Sequence, residues 1–318
     1  MPSSPHQPRR RVRSMTEISR LDTPPDILGE CPVWCTEDQL LFRVDIEGRR
    51  IHRYDPVTGQ SDFRSVPGRP GSIALTDIPG LLLVAVETHL AWYNYLDDQF
   101  SPWIQLEPFE SPNRLNDGRC DPAGRFVVGS MHTDTNSGQR TGILHQITAD
   151  GDVRTIRDHI GVSNGLAFDS QQQIMYFADS HTAEVLAYDY NAETGDWAND
   201  RSFFDYKQVR GLPDGACLDT DGCYWSASAH GWQIVRITPH GKIDRVIKLP
   251  VQIPSMPAFG GTNLSTLFVT SIAAAPPPEQ QVDPAFPPGS VLAIDLDVQG
   301  LPEPRFSAAA APLALRTT

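Results

Sequence analysis

The sequence predicts an all-β fold, specifically a six-bladed β-propeller. Three observations support this prediction. A unit of about 40–50 residues recurs along the chain, each copy holds short apolar runs separated by turn residues, and no stretch has a convincing helical period. A repeat of this length with about four short strands is typical of propeller blades.

The repeat is clearest in SNGLAFDSQQQIMYFADS, which begins at Ser163, and in PDGACLDTDGCYWSAS, which begins at Pro213. Six copies align on one lead position, which is occupied in turn by Glu30, Gly71, Asn116, Asn164, Asp214 and Ser255. Successive leads are 41, 45, 48, 50 and 41 residues apart. Six copies predict six blades around a channel, and the blades should form one cooperative unit because a single blade cannot bury its faces alone.

Two strand-like runs follow each lead. The first runs are QLLFRVDI, GLLLVAV, GRFVVGSM, QIMYFADS, CYWSAS and STLFVTS; the second are RRIHRYDP, HLAWYNYL, GILHQIT, EVLAYDY, QIVRITP and SVLAIDL. Turn-forming residues separate the runs, as in DPVTGQ and NAETGD. The proline-rich segment from Ser271 to Ser290 predicts a long loop of the sixth blade, since proline is excluded from central strands.

Length and composition set the domain organisation. The chain has 318 residues, of which 40% are hydrophobic and 20% charged, as is typical of a globular protein. We expect a single propeller domain over residues 15–318. Residues 1–14 contain four arginines, three prolines and no acidic residue, which predicts a disordered basic tail.

Charge and cysteine usage exclude some partners and favour one compartment. The formal net charge of −13 argues against nucleic acid or an anionic membrane as a partner. The longest strongly apolar run, Leu81 to Val86, is far shorter than the ~20 residues of a membrane-spanning helix. Five cysteines, an odd number without a preceding apolar signal segment, are expected to be buried thiols in a reducing, cytoplasmic protein. The oligomeric state is not readable from the sequence.

The lead residues indicate a site. Equivalent positions in a propeller lie at equal depth around its axis, so Glu30, Asn116, Asn164 and Asp214 should meet at one mouth of the channel although they are up to 184 positions apart. A single Asn-Gly or Asp-Gly pair would be explained by a turn. Four oxygen-bearing residues in phase, one of them a glutamate, point instead to a metal site in the central channel, because carboxylate and amide oxygens suit a hard divalent cation.

These motifs resemble a known family. GECPVW from Gly29, RLNDG from Arg114, SNG from Ser163 and PDG from Pro213 are similar, in order and spacing, to the six-bladed propellers of the gluconolactonase, regucalcin (senescence marker protein) and luciferin-regenerating-enzyme family. The resemblance covers roughly residues 25–300. The chain departs from the family pattern at Cys31, at Arg43 and at His132.

The resemblance implies roles for individual residues. Glu30, Asn164 and Asp214 match the metal ligands, and Asp214 is also the favoured general base. Arg114 and Asn116 match substrate-binding positions, and Asp134 falls where some members have an acidic substrate contact. Asp117 and Asp179 are expected to brace the loops of the ring.

The predicted function is metal-dependent hydrolysis of a sugar lactone to its aldonic acid. One divalent ion (Ca, Mn, Mg or Zn) would polarise the lactone carbonyl, and Asp214 would assist the attacking water. Two alternatives stay open: a metal-dependent phosphotriesterase resembling diisopropylfluorophosphatase, and a non-catalytic Ca-binding propeller. A serine hydrolase is disfavoured because no serine lies in a G-x-S-x-G elbow.

Overall fold

The computed structural model describes residues 17–274 and 282–316. The predicted basic tail and residues 275–281 of the predicted sixth-blade loop lie outside the described residues. Within them, the strands form six antiparallel sheets of four strands each, which confirms the all-β six-bladed propeller.

Most strands follow one another with short connections, and the longest connection joins β23 to β24. The first twelve are β1 (Ile18–Arg20), β2 (Gly29–Cys35), β3 (Leu40–Asp45), β4 (Arg50–Tyr54), β5 (Ser61–Ser65), β6 (Pro70–Leu75), β7 (Leu81–Val86), β8 (His89–Asn94), β9 (Gln99–Gln105), β10 (Asn113–Cys120), β11 (Phe126–His132) and β12 (Gly142–Ile147). The second twelve are β13 (Val153–Ile160), β14 (Ser163–Asp169), β15 (Ile174–Asp179), β16 (Glu184–Tyr190), β17 (Trp197–Asp205), β18 (Leu212–Leu218), β19 (Tyr224–Ala229), β20 (Gln233–Ile237), β21 (Ile243–Lys248), β22 (Pro254–Gly260), β23 (Thr266–Ser271) and β24 (Leu292–Asp295).

Blades 1 to 5 each consist of four consecutive strands, beginning with β2–β5 and ending with β18–β21. The sixth blade combines β22, β23 and β24 with the N-terminal strand β1, which pairs with β24. The sequence did not predict β1, because the three residues of this strand carry no alternating pattern of their own. Its pairing joins the first strand to the last strand and closes the ring.

The first strand of each blade lines the channel. The six inner strands β2, β6, β10, β14, β18 and β22 contact one another in ring order, and β22 contacts β2. The inner strands are buried along most of their length, whereas outer strands such as β5 and β13 are largely exposed. Each predicted lead residue lies in the inner strand of its blade, so the repeat phase read from the sequence is correct.

Apolar side chains fill the space between neighbouring blades. Trp34 of blade 1 stacks on Phe268 of blade 6 with ring centroids 5.6 Å apart, which packs the junction where the ring closes. All five cysteines are free and buried. Among the described residues, no helix is long and apolar enough to cross a membrane.

The chain after blade 6 crosses the end of the channel opposite to the lead residues. Gly300 bridges to Asp219 of blade 5, and Phe306 bridges to Thr76 of blade 2. Between them, Glu303 pairs with Arg119 at 3.2 Å. The segment 301–304 lines a cavity of about 350 Å³ together with the C-terminal ends of inner strands. One mouth of the channel is therefore covered by the chain itself, and the lead residues lie at the other mouth.

Candidate active site

A β-bulge interrupts every inner strand at or next to its lead residue. The register shifts fall between Glu30 and Val33, Pro70 and Ser72, Leu115 and Gly118, Asn164 and Ala167, Pro213 and Ala216, and Pro254 and Pro257. A bulge adds an unpaired residue, bends the strand and redirects a side chain. The repeated bulge is the local structure that turns the lead side chains out of the sheet pattern.

Two of these bulges contain a residue with positive φ directly after the lead. Gly165, after Asn164, has φ +66°, and a Cβ at this position would lie 2.4 Å from the Tyr224 hydroxyl oxygen. Glycine is therefore required there for both conformation and space. Cys31, after Glu30, has φ +44° and donates its backbone N–H to Glu30 Oε2 at 3.0 Å.

The two asparagine leads are joined by hydrogen bonds. Asn116 Nδ2 donates to Ser163 O at 2.9 Å and to Asn164 Oδ1 at 3.3 Å. Asn164 Nδ2 donates to Ser180 Oγ at 2.9 Å, and Ser180 Oγ donates to Pro213 O at 2.7 Å. A serine hydroxyl has one proton, and the carbonyl of Pro213 only accepts, so Ser180 must accept from Asn164. The amide oxygen of Asn164 is thereby turned away from Ser180 and towards Asn116.

The acidic leads from blades 1 and 5 are buried beside each other. Burial, then the nearby Asp214 carboxylate, raises the pKa of Glu30 well above its usual range. Burial and then the charge of Asp117 raise the pKa of Asp214 to about 8, against an opposing hydrogen bond with Glu30. Asp117 itself has a pKa raised to about 6, chiefly by burial. Three acids from blades 1, 3 and 5 therefore share one strongly negative, desolvated region.

Asp117 also braces the ring. Its Oδ2 accepts a hydrogen bond from the backbone N–H of Leu166 at 2.9 Å, which holds the strand that carries Asn164. Its Oδ1 is buried and has no hydrogen-bond partner among the described residues. Buried carboxylate oxygens are normally satisfied, so an orphan oxygen in this region is consistent with a missing polar partner.

Arg114 brings one positive charge to the same region. Its Nη1 donates to Asn116 Oδ1 at 2.6 Å and to Leu115 O at 3.0 Å. Burial, followed by the nearby charge of Arg69, lowers the pKa of Arg114 to about 10. In the described part of the chain, no carboxylate oxygen lies within 4.0 Å of its guanidinium, and its Nε and Nη2 make no hydrogen bond. These donors remain for a ligand.

Asp134 occupies a different position from the other predicted site residues. It is exposed, and its Oδ1 caps a single 3₁₀ turn at Thr135–Ser137 by accepting from Asn136 N at 3.0 Å. Its own backbone N–H donates to His132 Nδ1 at 3.0 Å. Among the described residues, no hydrogen bond links Asp134 to the other five predicted site residues. Its substrate contact stays a prediction.

Three of the lead residues offer oxygen ligands of the kind that a hard cation binds. Glu30, Asn164 and Asp214 offer two carboxylates and one amide oxygen, and within the described ranges no basic nitrogen lies within 4.0 Å of either carboxylate. Burying two such acids together without a counter-charge is costly, and a divalent ion with oxygen ligands would offset both charges. These residues therefore fit a hard divalent cation.

A second acidic group lies in blade 1 and fits a cation poorly. Ligand atoms of Asp26, Asp45 and His52 lie within 4.8 Å of one another. However, Arg43 donates to both oxygens of Asp26, at 2.7 and 3.1 Å, and already supplies the counter-charge. Asp45 accepts backbone N–H groups of Ile27 and Leu28. This group is an ion-pair and hydrogen-bond cluster that accounts for the unusual Arg43.

The protein is thus a six-bladed propeller that carries a buried site of carboxylate and amide side chains at one end of its channel. The chain belongs to the SMP-30/gluconolactonase/LRE-like family, whose sequence profile matches residues 28–273. The resemblance seen in the sequence motifs is therefore confirmed.

Individual relatives cover most of the chain. A 6-deoxy-6-sulfogluconolactonase from Pseudomonas putida is 34% identical over 291 residues, which is 89% of this chain and 96% of the relative. A regucalcin from Gallus gallus is 34% identical over 248 residues, 77% of this chain and 83% of the relative. The structure of a luciferin-regenerating enzyme superposes with a TM-score of 0.86 at 29% identity, covering 92% of this chain and all of that one.

Proposed function

We propose that this protein hydrolyses a sugar lactone to its aldonic acid and that Glu30, Asn164 and Asp214 hold one divalent cation for this reaction. The observation that carries the proposal is the set of contacts and shared charges at one channel mouth. Residues of blades 1, 3, 4 and 5 meet there. Among the described residues, the two buried acids have no basic nitrogen within 4.0 Å, and one buried arginine has free donors. The 6-deoxy-6-sulfogluconolactonase from Pseudomonas putida, 34% identical over 89% of this chain, supports the reaction class.

The chain's own residues supply binding and proton transfer. Arg114 presents Nε and Nη2 as a planar pair of donors to lactone or hydroxyl oxygens, and its bond to Asn116 fixes the direction of that pair. The cation, when bound, supplies positive charge that polarises the lactone carbonyl. Asp214 accepts a proton from the attacking water as the new C–O bond forms at the carbonyl carbon.

The remaining steps balance the reaction. The ester C–O bond of the ring breaks, and the proton held by Asp214 passes to the departing ring oxygen, which becomes a hydroxyl group. The product is an aldonic acid, which ionises near neutral pH and releases one proton. Burial makes Asp214 a stronger proton acceptor than an ordinary carboxylate, and a bound cation would reduce that effect.

The test is continuous measurement of acid release from a panel of aldonolactones. The panel includes 6-deoxy-6-sulfogluconolactone, because a relative of nearly equal length carries that name. Protein stripped of metal with a chelator should be inactive, and addition of Ca²⁺, Mn²⁺, Mg²⁺ or Zn²⁺ should restore acid release. The substitutions Glu30→Gln and Asp214→Asn should abolish acid release. Failure to open any lactone with all four ions, together with cleavage of a phosphotriester, would favour the phosphotriesterase alternative.

A further inference from the structure

The backbone that precedes two of the proposed ligands in the sequence is held by the same carboxylate clamp, in which one aspartate side chain accepts two consecutive backbone N–H groups. In blade 1, Asp45 Oδ2 accepts from Ile27 N at 3.0 Å and Oδ1 accepts from Leu28 N at 2.9 Å; Glu30 follows two residues later. In blade 4, Asp179 Oδ2 accepts from Gly161 N at 3.0 Å and Oδ1 accepts from Val162 N at 3.0 Å. Asn164 again follows two residues later.

The equivalence extends to the rest of the geometry. Asp45 pairs in register with the residue before Glu30, and Asp179 pairs with the residue before Asn164. In both blades Oδ1 also accepts an N–H from the following turn, that of Gly48 at 3.0 Å and of His181 at 3.1 Å. Both carboxylates are buried. The same hydrogen-bond pattern therefore occurs independently in two blades.

Among the described residues, a carboxylate that accepts both N–H groups in this way occurs only in the blades of these two ligands. In blade 2, Glu87 accepts one such N–H group, that of Arg69 at 2.8 Å. In the four other blades, the residues that pair in register with the one before the lead are Val86, Ser130, Ser228 and Ser271. None of these side chains is a carboxylate. Asp214, the third proposed ligand, is preceded by Pro213, whose carbonyl accepts from Ser180 at 2.7 Å instead.

We infer that Asp45 and Asp179 are positioning residues that pre-organise the cation site by fixing the backbone before Glu30 and Asn164. The inference rests on the proposed function, since it assumes that these ligands bind a cation. Hydrogen bonds to an ionised carboxylate are stronger than neutral ones. Two of them on consecutive N–H groups hold a loop in the ligand-bound conformation before the ion arrives, so less ordering is needed on binding.

Asp45→Asn and Asp179→Asn test the clamp with little change in shape. Asparagine has one acceptor oxygen, and its NH₂ group would face an N–H donor. Each variant should raise the Kd for Mn²⁺, measured from the EPR signal of the free ion, by about 10- to 100-fold, the usual effect of removing a partner that orients a ligand. Turnover of both variants should recover when Mn²⁺ is raised above the new Kd.

Asp169→Asn is the matched control. Asp169 ends the same inner strand that carries Asn164, is buried, and accepts two backbone N–H groups, from Gln171 at 3.0 Å and Gln172 at 2.9 Å. It lies at the opposite end of that strand from the site. This variant should lose thermal stability as Asp179→Asn does, yet keep the wild-type Kd for Mn²⁺.

A second control separates the clamp from a neighbouring ion pair. Asp179 Oδ2 also accepts from Arg140 at 3.0 Å, which ties the loop containing Asp134 to blade 4. Arg140→Gln removes that tie and leaves the two backbone bonds, so its Kd for Mn²⁺ should stay at the wild-type value. If Asp179→Asn does not fold, Asp179→Glu keeps the charge and displaces the oxygens, and it should raise the Kd as well.

The outcomes distinguish this inference from the function on which it rests. Wild-type protein that binds no Mn²⁺ and gains no thermal stability from Ca²⁺, Mg²⁺ or Zn²⁺ would overturn both. Wild-type binding, with Asp45→Asn and Asp179→Asn binding Mn²⁺ equally well, would overturn the positioning role alone. An equal loss of affinity in Asp169→Asn would also overturn it, because the effect would then be a general loss of stability.

Discussion

Asn164 Nδ2 donates to Ser180 Oγ at 2.9 Å, and this bond sets which end of the Asn164 amide faces Asn116 and the channel. The single hydroxyl proton of Ser180 is committed to Pro213 O. One serine therefore joins the side chain of a lead residue in blade 4 to the backbone beside the lead residue of blade 5.

We predict that Ser180→Ala weakens cation binding. Without the serine oxygen, Asn164 loses the acceptor that holds its NH₂ group, and its amide can rotate so that nitrogen faces the cation. The Kd for Mn²⁺ should rise by about 10- to 100-fold, as for other partners that orient ligands. Direct titration of the metal-free protein with Mn²⁺ measures this change.

Ser72→Ala is the control for that experiment. Ser72 is buried, as Ser180 is, but its hydroxyl has no hydrogen-bond partner among the described residues. Removing this hydroxyl should leave the Kd for Mn²⁺ unchanged. The thermal stability should stay the same or rise slightly. Wild-type affinity in Ser180→Ala would show that Asn164 needs no orienting partner.

The metal-free protein should lose stability as the pH rises. Folding raises the pKa values of Glu30 and Asp214, to about 8 for Asp214. At pH values between the ordinary carboxyl pKa and these raised values, the folded chain therefore binds more protons than the unfolded chain. The free energy of unfolding then falls with pH across that window, by at most ~1.4 kcal/mol per pH unit for each proton. Unfolding in urea between pH 5 and 9, with chelator present, measures the slope.

Two comparisons identify the groups responsible for that slope. Asp214→Asn cannot ionise, so its slope should be smaller than that of the wild type. Saturating Ca²⁺ should also reduce the slope, because the cation stabilises the ionised acids. A wild-type slope that neither change reduces would mean that other groups control the pH dependence.

Arg114→Lys should impair substrate binding and leave cation binding intact. Lysine keeps the charge but loses the planar pair of donors. We expect kcat/KM for the best lactone to fall about 10- to 100-fold, since a hydrogen bond to a charged group contributes about 1.5–3 kcal/mol. The Kd for Mn²⁺ should not change.

Arg119→Lys provides the comparison for Arg114→Lys. Arg119 is a buried arginine of the same strand, but it pairs with Glu303 at the covered end of the channel. Lysine at this position should leave kcat/KM unchanged. An equal fall in kcat/KM for both variants would argue against a direct substrate contact by Arg114.

The blades and their phase could be predicted because the repeat is local and recurs six times. Each lead residue, from Glu30 to Ser255, lies in an inner strand as expected. Strand β1 could not be predicted, since its partner lies some 270 positions away and three residues carry no pattern. The position of Asp134 depends on a loop whose shape is set by a cap and by His132, and no periodicity encodes that shape.

Of the supporting residues, Asp117 and Asp179 were expected from the sequence to brace the ring, whereas Asp45 and Ser180 were not identified. Asp45 and Asp179 end their strands in similar contexts, VDI and ADS, at the same offset from Glu30 and Asn164. That offset is visible in the sequence, but the N–H groups that the two carboxylates accept belong to loops without a motif. Ser180 is one residue of a common type, and only the fold brings it beside Pro213.

Arg43 departs from the family pattern. Its contacts predict that replacing it lowers the free energy of unfolding strongly and leaves the Kd for Mn²⁺ unchanged. Its guanidinium is fully buried and pairs with both oxygens of Asp26. Arg43→Met leaves the buried acid without its partner, which typically costs about 3–5 kcal/mol. Adding Asp26→Asn should recover part of that loss, because the uncompensated charge is then removed.

The exposed pair of Arg245 and Asp297 supplies the reference for this last measurement. Arg245→Met breaks a solvent-exposed pair at 2.7 Å and should cost at most about 1 kcal/mol in the free energy of unfolding. Urea unfolding of the three variants and the wild type gives the comparison, and Mn²⁺ titration should give the wild-type Kd for each variant that folds. If Arg43→Met instead changes the Kd, the Arg43–Asp26 pair contributes to cation binding, and its description as a purely structural ion pair is wrong.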